Sequence, residues 1–492
     1  MEGLEAESYD RVYDDRGLLK RILSYFRPNA RGMALVTLMV VLNSLMDAAL
    51  PVLVSRGINR LDTDDKAFGT EGWLLVGAFL IAGMLAWTFN YFRQSRSAIV
   101  VGDVVRRLRL DVFRAIMRRD MSFFDEQQSG RIVSRVTSDT EDFANVVTLT
   151  LSLASQVLML VFITAVLLYR DWQLTLVTLV MVPFITAIAL AFRKVARQST
   201  TGAQRAMADV NRTVAETMRG IAVAKNFRQE VKIYEEFQEV NNRAYRVTLR
   251  QGFIFSGIFP ILFIVAGLGT VLVLYAGGQG VIDGRMRAGD WYLYLLSVAL
   301  FWFPLTSIAS FWSQFQQGLS AAERVFALID ATPRVVQERE DPAGSLSGGI
   351  SFEGVDFAYV EGQLVLENFS LDIEPGELIA VVGHTGAGKS TLGKLIARFY
   401  EFQGGVIRID GRSIRTFDLR ELRRSLGVVP QTPFLFSGTV ADNIRYPRQD
   451  ATMAEVVDAA NRIGGGDWIE ALPNGLDTKV GEQGRGLSMG QR

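Results

Sequence analysis

The chain has 492 residues, 49% of them hydrophobic, with 52 Lys and Arg balanced by 52 Asp and Glu, no cysteine and a single histidine, His384. That length predicts two or three domains, the zero net charge argues against nucleic acid as a partner, and the residue counts exclude a disulfide framework, cysteine and histidine metal sites and a His-dependent catalytic triad. The hydrophobic share is too high for a wholly soluble chain of this size, and it is unevenly spread.

Residues 1–32 are charged and polar. Within them Leu18, Leu19, Ile22, Leu23 and Phe26 recur at helical spacing among Lys20, Arg21 and Arg27, the pattern of an amphipathic elbow helix lying on a membrane surface. The apolar run that follows is too long for a secretory signal and lacks a small-residue cleavage site. Six apolar runs occupy 33–58, 73–92, 146–169, 172–192, 253–282 and 291–315, each enough to cross a bilayer at about 20 residues per span. One such run alone could be a buried soluble helix; six together predict a six-helix membrane domain over 33–320.

Charge sets the orientation. The connection between the second and third runs carries Arg93, Arg96, Arg106, Arg107, Arg109, Arg114, Arg118, Arg119, Arg131 and Arg135. That between the fourth and fifth carries Arg193, Lys194, Arg197, Arg205, Arg212, Arg219, Lys225 and Arg228, whereas the first connection holds Asp62, Asp64, Asp65 and Glu71. The positive-inside rule places the two basic connections, and both chain ends, in the cytoplasm, and Trp73, Trp172 and Trp291 at the outer interface. Helical periodicity continues through both basic connections with little Gly or Pro. Spans two to five are therefore expected to run on as helices well beyond the membrane. The turn regions at their far ends hold Ser122, Phe123, Phe124, Asp125, Gly130, Ser134 and Arg135 in one case, and Glu216, Gly220, Ile221, Lys225, Asn226 and Phe227 in the other.

Asp47 lies near the middle of the first run. A carboxylate at that depth costs about 2.5–3.5 kcal/mol on insertion scales, so it should face a cavity or a partner; Pro51, one turn later, loosens the backbone there. Two readings stay open: a hydrogen bond to Asn43 at i−4, or a cavity charge favouring cationic amphiphiles.

Residues 321–349 read as a connector, a short helix to 330 and then a linker containing Pro333 and Pro342. From Ile350 the pattern changes to short strands, ISFEGVDFAY, LVLENFSLDI and ELIAVV, which open a soluble α/β domain over 350–492. Residues 383–391, GHTGAGKST, fit G-x-x-x-x-G-K-[ST] with Gly383, Gly388, Lys389 and Ser390 on the fixed positions and His384, Thr385, Gly386 and Ala387 between them. Glycines let backbone N–H groups turn inward around phosphate oxygens. Lys389 brings a point charge to the outer phosphates, and Ser390 offers a hydroxyl to Mg²⁺. The context agrees: 378–382 is an apolar run of buried-strand type, and after Thr391 the residues Leu392, Leu395, Ile396 and Phe399 form one face of a helix, whose N-terminus would meet the phosphates.

Three further motifs flank this loop: Tyr359 before it, Gln431 in VVPQTPFLFSGTVADNI after it, and LSMGQR at 487–492. Singly, Tyr359 fits sheet packing, Gln431 a surface loop and Ser488 a helix cap. Together, in this order, they resemble the nucleotide-binding domain of ABC transporters. The resemblance implies that Tyr359 stacks on adenine and that Gln431 touches Mg²⁺ and the attacking water. It also implies that Ser488, Gly490 and Gln491 reach the γ-phosphate of the ATP held by the opposite domain, with Met489 where the family usually has glycine.

Six spans ahead of one such domain resemble an exporter-type half-transporter of a bacterial cytoplasmic membrane. FFDEQQSGRIVSRVTSDT and ETMRGIAVAKNFRQE are similar to its two coupling segments. Phe123 and Phe124 then read as a knob seated on a nucleotide-binding domain, against ordinary helix-end packing. Glu482 reads as part of an exporter-specific loop, against a solvated surface glutamate. The implied partners are a second half-transporter, identical or not, and an exported amphipathic compound, lipid or peptide. The alternative is a hydrolysis-poor regulatory half of a heterodimer; a soluble ATPase with a membrane anchor does not account for six spans. In the family the Walker B aspartate, catalytic glutamate, D-loop and switch histidine follow the LSGGQ motif. A chain ending at Arg492 therefore reads as truncated after LSMGQ, unable to sustain hydrolysis by itself, with the P-loop strand short of a partner and the region after Ile350 the less stable half.

Overall fold

The long apolar runs fold as long helices. The computed structural model describes residues 14–61, 69–481, 484, 486–488 and 490–492 and divides into two units, Met1–Pro333 and Arg334–Arg492. In the first unit α1 (Asp15–Phe26) leads into α2 (Ala30–Leu61), α3 (Gly69–Met117), the short α4 (Met121–Glu126) and α5 (Ser129–Val136), then α6 (Ser138–Arg170), α7 (Trp172–Arg219), the short α8 (Ile221–Asn226), α9 (Glu230–Ile282) and α10 (Ala288–Asp330). Among the described residues, five helical stretches beginning at Arg16, Gly69, Ser129, Trp172 and Glu230 are long and apolar enough to cross a membrane, and α10 adds the apolar stretch Ala288–Phe301. Helices α3, α7 and α9 have 49, 48 and 53 residues. At about 1.5 Å per residue each is more than twice as long as a hydrocarbon core of about 30 Å. The expected helical extensions are therefore present, and α4, α5 and α8 lie in the predicted turn regions.

Polar clamps hold these helices where side chains are buried. The Ser44 hydroxyl donates to Ser155 O at 2.8 Å. The fully buried Tyr294 of α10 donates to Leu167 O at 2.7 Å and accepts from the Asp171 N–H at 3.1 Å. Asp171 itself caps α7 by accepting from the Leu174 N–H. On α1, Leu18 and Phe26 join a cluster with Val104, Leu108, Val325 and Phe326, whereas Leu19 and Leu23 stay exposed. The elbow helix thus has one apolar stripe turned to its own domain and another turned away from it. Tyr25 donates to Asp111 at 3.2 Å.

The connector differs from the sequence reading. Residues 321–330 are no separate helix but the last turns of α10, with Ala321, Ala322, Val325, Phe326, Ala327 and Leu328 buried; their apolar side chains continue the helix stripe without a breaker until Pro333. Beyond it, the stretch taken as a linker is laced to the second unit. Asp341 N donates to Thr416 O, Asp418 N to Asp341 O and Glu338 N to Arg415 O, at 2.9, 2.9 and 3.1 Å. Asp410 accepts the N–H groups of Ser347, Gly348 and Gly349. Desolvation raises its carboxyl, but those bonds outweigh it and hold the group below the usual range.

The second unit is a mixed α/β fold. Strands β1 (Ile350–Ala358), β2 (Leu364–Ile373), β3 (Gly404–Ile409) and β4 (Arg412–Ser413) form an antiparallel sheet in the order β2-β1-β3-β4, with Phe352 opposite Leu371 on one side and Ile407 on the other. Helix α11 (Lys389–Ile396) buries Leu392 and Leu395 with Phe352, Phe357, Tyr400, Ile407 and Phe417. Residues 378–382, read as a buried strand, join no sheet among the described residues. Leu378 is 97% and Val382 87% exposed. The reason is partnership: such a run is stable as a strand only between neighbours and under cover on both faces, and the antiparallel sheet here does not take it in.

Candidate nucleotide-binding site

The loop 383–388 leaves 378–382 and enters α11, and its backbone needs glycine where the sequence has it. Gly386 and Gly388 have φ of +90° and +80°, in the left-handed region. Gly388 is also the N-cap of α11 and packs tightly: a Cβ there would lie 3.2 Å from Leu366 Cδ2 and 3.2 Å from Val365 Cγ1 on β2. The Lys389 ammonium folds over the loop and donates to Gly383 O at 3.0 Å and His384 O at 2.8 Å. It is thereby held over the loop's own carbonyls, which an anionic ligand can replace as acceptors. His384 is exposed, its Nδ1 3.0 Å from Thr385 O. The Ser390 side chain is exposed in the first turn of α11 and makes no hydrogen bond among the described residues.

Tyr359 comes next to this loop. Its hydroxyl is 3.2 Å from the hydroxyl of the buried Thr391. Its ring stands edge-on to Phe357 and Tyr400, at 4.8 and 5.0 Å between centroids, and the Lys394 ammonium lies 5.2 Å from its centre. Both the packing role and a place beside the loop are therefore realised. Gln431 lies in an exposed bend, and no hydrogen bond joins it to the loop among the described residues. In LSMGQR, Leu487 is buried with Val440, Leu472 and Val480. Ser488 and Gln491 bond reciprocally: Ser488 N donates to Gln491 Oε1 at 2.9 Å, and Gln491 N to Ser488 Oγ at 3.3 Å. That is a capping box on an S-x-x-Q spacing, closed around Gly490. Met489 and Glu482 lie outside the described residues.

The sequence profile of the ABC transporter transmembrane region matches residues 33–305, more than half of the chain, and that of the ABC transporter domain matches 366–492. The chain belongs to the ABC transporter family. It is similar to an ATP-dependent lipid A-core flippase of Syntrophus aciditrophicus (strain SB), at 30% identity over 477 residues, covering 96% of this chain and 79% of the flippase. It is similar to a flippase of the same description from Haemophilus influenzae (strain 86-028NP), at 32% identity over 96% of this chain and 81% of that protein. Against a fatty acid ABC transporter ATP-binding/permease protein of Mycobacterium tuberculosis (strain CDC 1551 / Oshkosh), identity is 33% over 85% of this chain and 66% of the relative. This ABC transporter is thus a multi-pass membrane protein with an exporter-type half-transporter layout.

At three of its sequence-flagged residues local contacts are present. Phe123 and Phe124 meet edge-on at 5.4 Å and pack with the helix-end cluster of their own unit. Asp47 accepts a hydrogen bond from Asn43 Nδ2 at 2.8 Å. Periodicity did not flag the arginines that fix the site from behind. Arg398, fully buried just past α11, donates to Val336 O at 2.6 Å and Glu401 at 3.2 Å, and Arg415 holds Glu401 at 2.6 Å. Arg423 donates to Ala397 O at 3.1 Å and Arg398 O at 2.7 Å, closing the C-terminal end of the P-loop helix; burial, then the Arg398 charge, lowers its guanidinium. Their partners are mainly carbonyls, which leave no mark in a sequence pattern.

Proposed function

We propose that this chain is the ATP-binding half of a dimeric exporter that couples ATP binding and hydrolysis to the movement of an amphipathic compound, in the first place a lipid, across the cytoplasmic membrane. The observation that carries it is the P-loop itself: two left-handed glycines, a lysine held across the loop carbonyls, an unengaged Ser390 hydroxyl and Tyr359 tied to Thr391. The flippase and fatty acid transporter names of the relatives support the substrate class. On binding, Lys389 exchanges the Gly383 and His384 carbonyls for phosphate oxygens, a charge-assisted replacement, while the N-terminus of α11 adds its N–H groups. Ser390 and Gln431 would hold Mg²⁺, which offsets charge on the transferred phosphate. Among the described residues no three Asp, Glu or His side chains converge. Mg²⁺ usually keeps substrate phosphate oxygens and several waters among its ligands. Tyr359 offers a ring to the base, and Ser488, Gly490 and Gln491 would face the nucleotide of the second half-transporter.

The test is ATP binding and phosphate release by the full-length protein in lipid nanodiscs, with Lys389→Ala beside it. Tight ATP binding abolished by the substitution is the expected result. Unchanged affinity in Lys389→Ala would remove the P-loop assignment.

A further inference from the structure

Asp139 stands where α5 passes into α6, and two arginines converge on it. From α10, Arg324 grips it in a fork, Nη2 at 2.6 Å from Oδ1 and Nε at 3.2 Å from Oδ2. From α5, Arg135 Nη1 reaches Oδ2 at 3.2 Å. The Arg135 and Asp139 side chains are only 10% and 8% exposed. Around the same end of α10 lie two more basic contacts: Arg119, at the end of α3, donates to Leu328 O at 2.6 Å and to Ala331 O, and Arg21 of α1 pairs with Asp330. Helix α10 ends at Asp330, and the nucleotide-binding unit begins at Arg334.

We propose that Asp139 is a positioning residue for coupling: it locks the segment α4–α5 to the last turns of α10, so that this segment and the tether to the nucleotide-binding unit move as one body. The proposal rests on the exporter reading, since it assigns a role within ATP-driven movement. Three features favour coupling over plain stability. The joint is already packed with apolar side chains, Ile116, Phe143, Val325, Phe326 and Leu328. A buried ion pair adds little stability over such packing, yet it fixes register, and losing one partner leaves a buried charge uncompensated. The fork geometry of Arg324 fixes direction as well as distance. One carboxylate shared by two elements also transmits a displacement of α5 to α10 without slack.

The 492 residues contain no cysteine, and Tyr169→Cys, 88% exposed at the far end of α6, supplies the spin-label site, with any cysteine elsewhere in the protein replaced by serine. Distances between labels in the dimer are measured in nanodiscs, without nucleotide and with ATP plus vanadate, alongside ATP affinity by calorimetry. Asp139→Asn should leave ATP affinity unchanged and reduce the amplitude of the nucleotide-dependent distance shift by about fivefold or more, the size of a coupling loss of this kind. Arg324→Gln should do the same, the double variant should be no worse than either single one, and the conservative Asp139→Glu should restore most of the shift. A full shift in Asp139→Asn, additive losses in the double variant, or ATP affinity falling in parallel would overturn the proposal alone. A parent protein with no nucleotide-dependent shift would overturn the exporter reading and this proposal with it.

Discussion

Replacing Gly388 by alanine, with Gly386→Ala as its control, separates what the P-loop backbone requires from what its packing requires. Both glycines sit in the left-handed region, at φ of +80° and +90°, where a residue with a Cβ loses roughly 1–2 kcal/mol. Only Gly388 is also crowded: its added Cβ meets Leu366 Cδ2 and Val365 Cγ1 at 3.2 Å each, whereas nothing lies within 4 Å of one on Gly386. Leu366 is buried in the sheet core and has little room to withdraw, so overpacking adds roughly 1–3 kcal/mol. Gly386→Ala should therefore cost about 1–2 kcal/mol and Gly388→Ala about 2–5 kcal/mol. If the loop must regain its left-handed backbone to hold phosphate, these energies appear as lost affinity. At 1.4 kcal/mol per tenfold that is roughly tenfold for Gly386→Ala and roughly a hundredfold or more for Gly388→Ala. ATP calorimetry on the full-length protein reads both, and thermal melting reads the share of the Gly388 cost that falls on the fold. Equal losses in the two variants would refute the packing argument. Unaltered affinity in Gly388→Ala would refute the claim that this loop conformation is the binding one.

Asp47→Asn preserves the partner of Asn43 and should change stability by no more than the value of one hydrogen bond, about 0.5–1.5 kcal/mol. Resistance profiles should shift alike for neutral and cationic amphiphiles, and a loss confined to cations would assign Asp47 the role of a cavity charge. Replacing Phe123 and Phe124 together by alanine removes two half-buried rings and their edge-on contact. The expected loss is about 1–3 kcal/mol, below the full burial value, seen as a lower melting temperature of the detergent-solubilised protein. ATP affinity should be unchanged, and an unaltered melting temperature would show that the rings do not hold their own helix ends.

Helix length and type were legible because they rest on local signals. The six apolar runs, and the arginine-rich periodicity that continues beyond them, specify helices before any contact is made, and α3, α7 and α9 run through as expected. The same locality makes 321–330 read as a separate short helix, although no breaker stands between it and the sixth run. In the second unit β1 and β2 were legible from alternation, but 378–382 was not. An apolar run of that kind has no intrinsic strand state, and its form is decided by neighbours that the run itself does not encode.

The site divides along the same line. Gly386, Gly388 and the Ser488 cap were readable because each solves a backbone problem within a few residues, a positive φ or an orphan N–H group. Arg398 and Asp139 solve problems between segments. Arg398 joins Val336 and Glu401, and Asp139 joins α10 across 185 residues of chain. Such residues look like ordinary surface charges in a linear pattern, and only burial exposes them. A charge held away from water by carbonyls or by an opposite charge cannot be moved cheaply to a new partner. It therefore fixes the relative position of the segments it joins more strictly than apolar contacts, which tolerate sliding. In a protein whose proposed work is to pass a displacement from a nucleotide to a set of membrane helices, those fixed joints matter as much as the phosphate loop, and they are the part that a sequence pattern leaves unmarked.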